Sequence, residues 1–339
     1  MPPCTGERAG GFAGGRRSDP DPEGETRPRP DRTWDMISRS TLIGALVVVE
    51  LAILGLAAKA VPGNSPNTNW NFDPSWTHQP APTTSRLDKT FETGSAPHVV
   101  LDVDNADVTV QAGAATSVHV TGTMKVSGHH SGVQPALTAI RTADGVRVAV
   151  ESGLVFGRIE RDVRITVPPD AQVEIASAAG VVANGLRGKL VARLDDGAVR
   201  ISNHRGDVDV TTSSGDIDVL DAQGGVFALR TDDGALKLTS SGADHLDART
   251  GSGAITAIGL RAVDGALQTD DGRIDVNFAP ESDATVNLHA DDGHINGARV
   301  TAPDGDSASG RSMRLGSGRG QFTISTDRGS IAVAHGASV

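Results

Sequence analysis

From residue 98 to residue 339 the chain alternates apolar and polar positions, as in Val99-Val100-Leu101-Asp102-Val103 and Val146-Arg147-Val148-Ala149-Val150. No stretch there carries the 3.6-residue period of an amphipathic helix. A period of two predicts short β-strands throughout, each with one buried side.

A longer period lies over the short one. Gly180, Gly197, Gly215, Gly234, Gly253, Gly272, Gly293 and Gly329 are separated by 17, 18, 19, 19, 19, 21 and 36 residues. Two positions after each stands a large aliphatic: Val182, Val199, Ile217, Leu236, Ile255, Ile274, Ile295 and Ile331. Five before, every residue is apolar, from Ile175 to Ile324; seven before, all are apolar but for Gly265, and three before, threonine recurs at 212, 231, 250, 269 and 326. Each unit therefore reads as a strand, a glycine turn with φ free to be positive, and a second strand. One aliphatic face per strand is buried only when units stack, which predicts an all-β, solenoid-like pile of short strands, a single-stranded β-helix. About eight rungs at about 4.8 Å give a stack about 40 Å long. The gap of 36 reads as a unit that has lost its turn, around 301–312.

The first 97 residues divide into three zones. Residues 1–39 hold seven arginines, seven acids and little apolar content, and read as a disordered cytoplasmic tail, or as an artefact if Met36 is the start. Residues 40–61 contain TLIGALVVVELAILGLAAKAV, whose 21 residues span about 30 Å as a helix, enough for a bilayer core. Arg27, Arg29, Arg32 and Arg39 precede it, which predicts a single pass with its N-terminus cytoplasmic and everything after it exported. Ala58-Lys59-Ala60 also resembles a signal-peptidase site, so an uncleaved anchor and a cleaved signal both stand. Glu50 lies mid-span, either facing a partner helix or tolerated by its apolar neighbours. Residues 62–97 carry six prolines and read as a stiff polar linker, with Trp70, Phe72 and Trp76 placed for the membrane interface or for the end of the folded domain.

Composition narrows the chemistry. Aromatics make up 3% of the chain, tyrosine is absent, and there are 41 glycines, as a narrow core of small residues requires. The net charge of −11 opposes nucleic-acid binding and favours basic or neutral partners. Cys4 stands alone, so no disulfide framework is written. Asp195-Asp196, Asp232-Asp233, Asp270-Asp271 and Asp291-Asp292 precede their glycines, with neutral pairs such as Ser213-Ser214 in between. The six acids from 195 to 271 are weak calcium candidates, set against ordinary Asp-Gly turn chemistry. His129-His130 read as a flexible loop without a third ligand, and His204, His245, His289 and His294 as exposed fillers. Phosphate-loop, His-Glu-x-x-His and nucleophile-elbow patterns do not occur, so no catalytic residue, cofactor or metal is assigned.

Several stretches carry a resemblance. Val167-Pro168-Pro169-Asp170-Ala171-Gln172-Val173-Glu174-Ile175 resembles the opening strand of the bacterial β-strand-repeat "putative adhesin" family, a domain of unknown function. Thr212-Ser213-Ser214-Gly215-Asp216-Ile217-Asp218-Val219 resembles its body. Leu315-Gly316-Ser317-Gly318-Arg319-Gly320, with Thr326-Asp327-Arg328-Gly329-Ser330-Ile331, is similar to its close. The family is similar to the toastrack domains of envelope-stress proteins. The resemblance covers residues 98–339 and implies a toastrack-like, membrane-anchored envelope protein with no catalytic residues. The expected function is non-enzymatic: adhesin-like binding of a protein or glycan at the cell surface, or scaffolding there. Two alternatives are a regulatory accessory acting through Glu50 and, less favoured, a carbohydrate-active β-helix enzyme.

Overall fold

The computed structural model describes residues 82–131, 135–151, 154–261, 263–297 and 310–336. The tail, the apolar span with Glu50, Cys4, Met36, the Ala58–Ala60 site and the three aromatics of the linker lie outside the described residues. No helix occurs among the described residues.

The strands run in chain order β1 (Thr83–Glu92), β2 (His98–Asp102), β3 (Asp107–Ala112), β4 (Ser117–Ser131), β5 (Ala136–Arg141), β6 (Gly145–Glu151), β7 (Leu154–Val167), β8 (Gln172–Ala176) and β9 (Gly180–Asn184). They continue as β10 (Leu190–Asp196), β11 (Val199–Ser202), β12 (Val208–Ser214), β13 (Ile217–Leu220), β14 (Gln223–Asp233), β15 (Leu236–Thr239) and β16 (Gly242–Thr250). The last are β17 (Ile255–Leu260), β18 (Asp264–Asp271), β19 (Ile274–Phe278), β20 (Ala284–Gly297), β21 (Gly310–Arg314) and β22 (Gly320–His335).

Two parallel ladders face each other across the core. The first runs β6-β2-β8-β10-β12-β14-β16-β18-β22-β20. The second runs β7-β3-β9-β11-β13-β15-β17-β19-β22-β20. The long β20 and β22 each bend at a glycine and serve both ladders. Antiparallel strands close the ends: β1 on β4 and β4 on β7, β5 on β6, and β21 on β20. Thus β1 takes ten residues that the sequence reading gave to the linker. Its inward Leu87, 8% exposed, is the reason: the strand covers core at the end of the stack.

The rungs are not stacked in chain order. β2 and β3 lie between β6/β7 and β8/β9, and β22 lies between β18/β19 and β20. The gap of 36 residues is therefore not a turnless rung; its described part holds antiparallel β21 and the approach to an inserted strand. That approach is clasped by Asp283, whose carboxylate accepts hydrogen bonds from Ser317 Oγ at 2.8 Å and Arg319 Nε at 2.6 Å. Those two groups, Arg319 foremost, hold its carboxyl well below the usual range.

What the glycine positions require is room. Among the eight glycines only Gly197 has a positive φ. A Cβ on Gly215, Gly234, Gly253 or Gly272 would lie 2.0–2.1 Å from the carbonyl oxygen of the glycine one rung before. Gly329 and Gly293 continue the series, over Gly272 and Gly329 respectively. Each such carbonyl points inward at the corner, away from the ladder. The recurring threonines meet it: Thr231 Oγ1 donates to Gly215 O at 3.1 Å, Thr250 to Gly234 O at 2.8 Å, Thr269 to Gly253 O at 3.0 Å and Thr326 to Gly272 O at 3.2 Å. Buried acceptors left without donors are costly, which favours threonine at this position. Gly180 does not belong to the series. Its rung turns at Ser177, with φ 58°, one residue early, so Val181 pairs with Val199 and is buried while Val182 faces out, 44% exposed.

Gly265, the apolar pattern's exception, sits where a Cβ would strike Leu246 O at 1.9 Å. The space is filled from the next rung by Phe322, which packs edge-on against Phe278 at 5.9 Å. A second corner escaped the sequence reading. Gly185, Asn203, Asp221, Ser240 and Gly259, spaced by 18 or 19 residues, all take left-handed φ between 49° and 77°. Gly, Asn and Asp tolerate that conformation readily. Behind each comes a buried residue: Leu186, His204, Ala222, Ser241 and Leu260.

Replacing Thr250 by Val removes one donor at constant shape and should lower stability by about 1–3 kcal/mol in urea unfolding. Gly253→Ala should cost far more, because the Cβ meets backbone 2.0 Å away. A neutral Thr250→Val would contradict the assigned role.

In-register stacking also explains the acid pairs. Read along the stack, the position before the glycine is Asp196, Ser214, Asp233, Ser252, Asp271, Arg328 and Asp292. Like charges one rung apart repel, and neutral residues separate them. Asp271 and Asp292 are consecutive acidic turns in sequence, but Arg328 on the inserted β22 stands between them and pairs with Asp271 through Nε and Nη2. Asp271 beside it holds the guanidinium above its ordinary pKa. Arg328→Asp should lower the urea midpoint more than Arg328→Ser, and added salt should recover much of the difference; equal midpoints at low salt would contradict this account.

Candidate interaction surface

The two outward faces differ in character. On the first sheet the charges are bridged across rungs and, at Asp247–Arg249, along one strand. Arg193 reaches Glu174 at 3.5 Å and Asp209 at 3.7 Å, Arg147 reaches Asp102 at 3.0 Å, and Asp247 takes Arg249 at 2.8 Å and Arg230 at 3.1 Å. Burial pulls the Asp247 carboxyl upward, but Arg249 and Arg230 outweigh it and leave it below its usual range. Such a face satisfies itself.

The second sheet presents three shallow recesses in a row. The first, about 490 Å³, lies over β1, β4 and β7 and includes Arg86, Asp88, Asp162 and Arg164. The next, about 550 Å³, spans β3 to β15 and includes Asp107, Val182, Arg200, Asp216, Asp218 and Lys237. The third, about 410 Å³, lies over β17 to β20 and includes Thr256, Ile258, Asp275, Asn296, Ala332 and Ala334. Small outward residues such as Gly180, Ala198 and Ala235 make the middle one. Val182 and Leu220, 44% and 41% exposed, add apolar surface to this face. Arg200 is held by Asp218 at 3.3 Å, whereas Lys237 makes no ion pair among the described residues.

The sequence candidates fall as follows. Asp195, Asp196, Asp232 and Asp233 form an exposed ridge on the glycine corner, beside the middle recess, and Asp270 and Asp271 continue it. Among the described residues no group of three His, Cys, Asp or Glu is placed to hold a metal ion. His129 and His130 are not in a loop: β4 runs through both, opposite Phe156 and Val155 of β7. His245, His289 and His294 are exposed.

His204 is buried, 1% exposed, where an exposed filler was expected, because the second corner turns it into the inward column between Leu186 and Ala222. Loss of water around the ring pushes its pKa below the ordinary value, with the backbone of Asp207 and Gly206 and the Asp207 charge opposing. A recurrence of buried-type residues one place after Gly, Asn, Asp or Ser at 18–19 spacing was the signal available in the sequence.

These two facing ladders and their inserted final strand belong with a sequence match over residues 97–333. The chain belongs to the Toastrack DUF4097 family. Solved structures resemble this toastrack domain at low identity. A "putative adhesin" from Parabacteroides merdae is 13% identical with a TM-score of 0.44, covering 74% of this chain and 96% of its own. Another from Bacteroides fragilis is 10% identical with a TM-score of 0.40, covering 74% and 97%. A "putative cell adhesion protein" from Clostridium sporogenes is 11% identical with a TM-score of 0.27, covering 75% and 100%. No curated protein matches.

A buried histidine with a lowered pKa takes up its proton more readily when the toastrack unfolds. Its part of the stability is complete above about pH 6.5 and falls as pH drops from there toward the folded-state pKa. His204→Leu should therefore flatten the decline in thermal midpoint between about pH 7.5 and 5.5. An unchanged pH profile in that variant would remove His204 as the cause.

Proposed function

We propose that this chain is a membrane-anchored, extracytoplasmic interaction module without catalysis, adhesin-like in the sense of its structural relatives. The observation that carries the reading is the outward face of the second sheet. Three recesses follow one another there on a scaffold of in-register strands, which holds surface groups in fixed register for recognition. Asp247, Asp283 and His204, whose proton affinities are displaced, lie away from these recesses, and each is explained by structural partners or burial. The apolar span at 40–61 and the arginines before it support the anchored, exported placement.

Placement is tested by replacing Cys4 with Ser and exposed Asp244 with Cys. A membrane-impermeant maleimide should label intact cells, and the labelled chain should stay with membranes after alkaline extraction. Labelling only after lysis would overturn the exported placement, and release by alkali would overturn the anchor.

A further inference from the structure

We infer that the middle recess, over β3 to β15, docks a cationic segment of a partner protein: an extended stretch whose Lys or Arg side chains flank a short aliphatic one. The inference rests on the interaction-module reading and specifies its partner.

Two independent features meet at this place. The first is the floor. Gly180, Ala198 and Ala235 leave about 550 Å³ open, and Val182 stands 44% exposed within it. Burying such a side chain removes apolar surface from water, which favours an occupant with an aliphatic group. The second is the wall. Asp195, Asp196, Asp232 and Asp233 are exposed on the adjoining corner and make no ion pair among the described residues. Farther along the same corner Asp271 is paired with Arg328, and on the sheet beside it Asp275 is paired with Arg273 at 2.7 Å. On the opposite face they are bridged by Arg193, Arg230 and Arg249. The four ridge acids outnumber the unpaired Lys237 of the recess, so net negative potential lies beside it, where low-dielectric walls focus it.

Charge complementarity selects among occupants. Nucleic acid and anionic lipid are repelled by the ridge. A second copy laid with its strands parallel would bring ridge against ridge. A cationic strand places its charges at the wall and its aliphatic group on Val182.

The test uses the full chain in zwitterionic nanodiscs, with empty nanodiscs as reference. The probes are labelled peptides of repeated Lys-Ser-Val-Ser or Glu-Ser-Val-Ser. The lysine peptide should bind at least about tenfold more tightly, and the quadruple Asp→Asn variant of the ridge should lose about that factor with most of the salt dependence. Val182→Ser should weaken binding severalfold at unchanged charge, and Asp244→Asn should not. Equal binding of the two peptides, indifference to Val182→Ser, or displacement of the peptide by a second copy of the chain would each overturn the assignment. Photo-cross-linkers at Val182 and at Val191, on the opposite face, separate this from the broader reading. Adducts at Val182 on intact cells support the site. Adducts at Val191 alone overturn the site and leave the interaction module standing, and none at either position overturns both.

Discussion

Parallel strands stacked in register place each residue about 4.8 Å from the residue at the same position in the next rung. That one constraint governs the whole domain. At the inward positions it sets aliphatic on aliphatic. At the glycine corner it sets a backbone carbonyl where the next Cβ would be, so glycine must follow glycine. The same carbonyl then needs a donor, and threonine repeats for that reason. Outside, it would set carboxylate on carboxylate, and serine or arginine interrupts the series.

The ends of the stack follow from what in-register pairing leaves exposed. An open ladder end is a template for further strands. Here the outer rungs carry antiparallel cover, by β5 and the β1-β4 pair at one end and by β21 over the first-sheet half of β20 at the other. The two rungs nearest the limits of the folded region, β2/β3 and β22, are tucked one place inside. Both insertions tie distant sequence together, and the clasp of Asp283 on Ser317 and Arg319 fixes the second of them. The side faces are the broad surfaces left for recognition. One face bridges its charges, and the other keeps the recesses and an acidic margin.

Much of this was legible in the residues. The period of 18–19, the inward positions and the absence of helices followed from simple alternation, since a strand's two faces differ by parity alone. Other features depended on contacts between rungs, which alternation does not encode. Glycine as the register mark puts Val182 inward, but Ser177 turns that rung one residue early. His204 is buried by the second corner, which the alternation of apolar and polar residues does not encode. The inserted final rung was written more subtly. Ala290 stands where threonine is expected and Thr326 has it, and two acidic turns follow each other at Asp271 and Asp292. The second anomaly disappears once residues 320–335 are placed between 264–278 and 284–297, because Arg328 then separates the two acids; Ala290 still brings no donor to the last rung. The recesses were not legible, because outward residues of adjacent rungs combine to make them.

The order of the last rungs carries the account most directly, and backbone nuclear Overhauser contacts of Ile331 in solution test it. Ile331 should show inter-strand contacts to both Ile274 and Ile295, with none between Ile274 and Ile295 themselves. Direct contacts between Ile274 and Ile295, with Ile331 at the outside of the stack, would contradict the in-register explanation of the glycines, the threonines and Arg328 together.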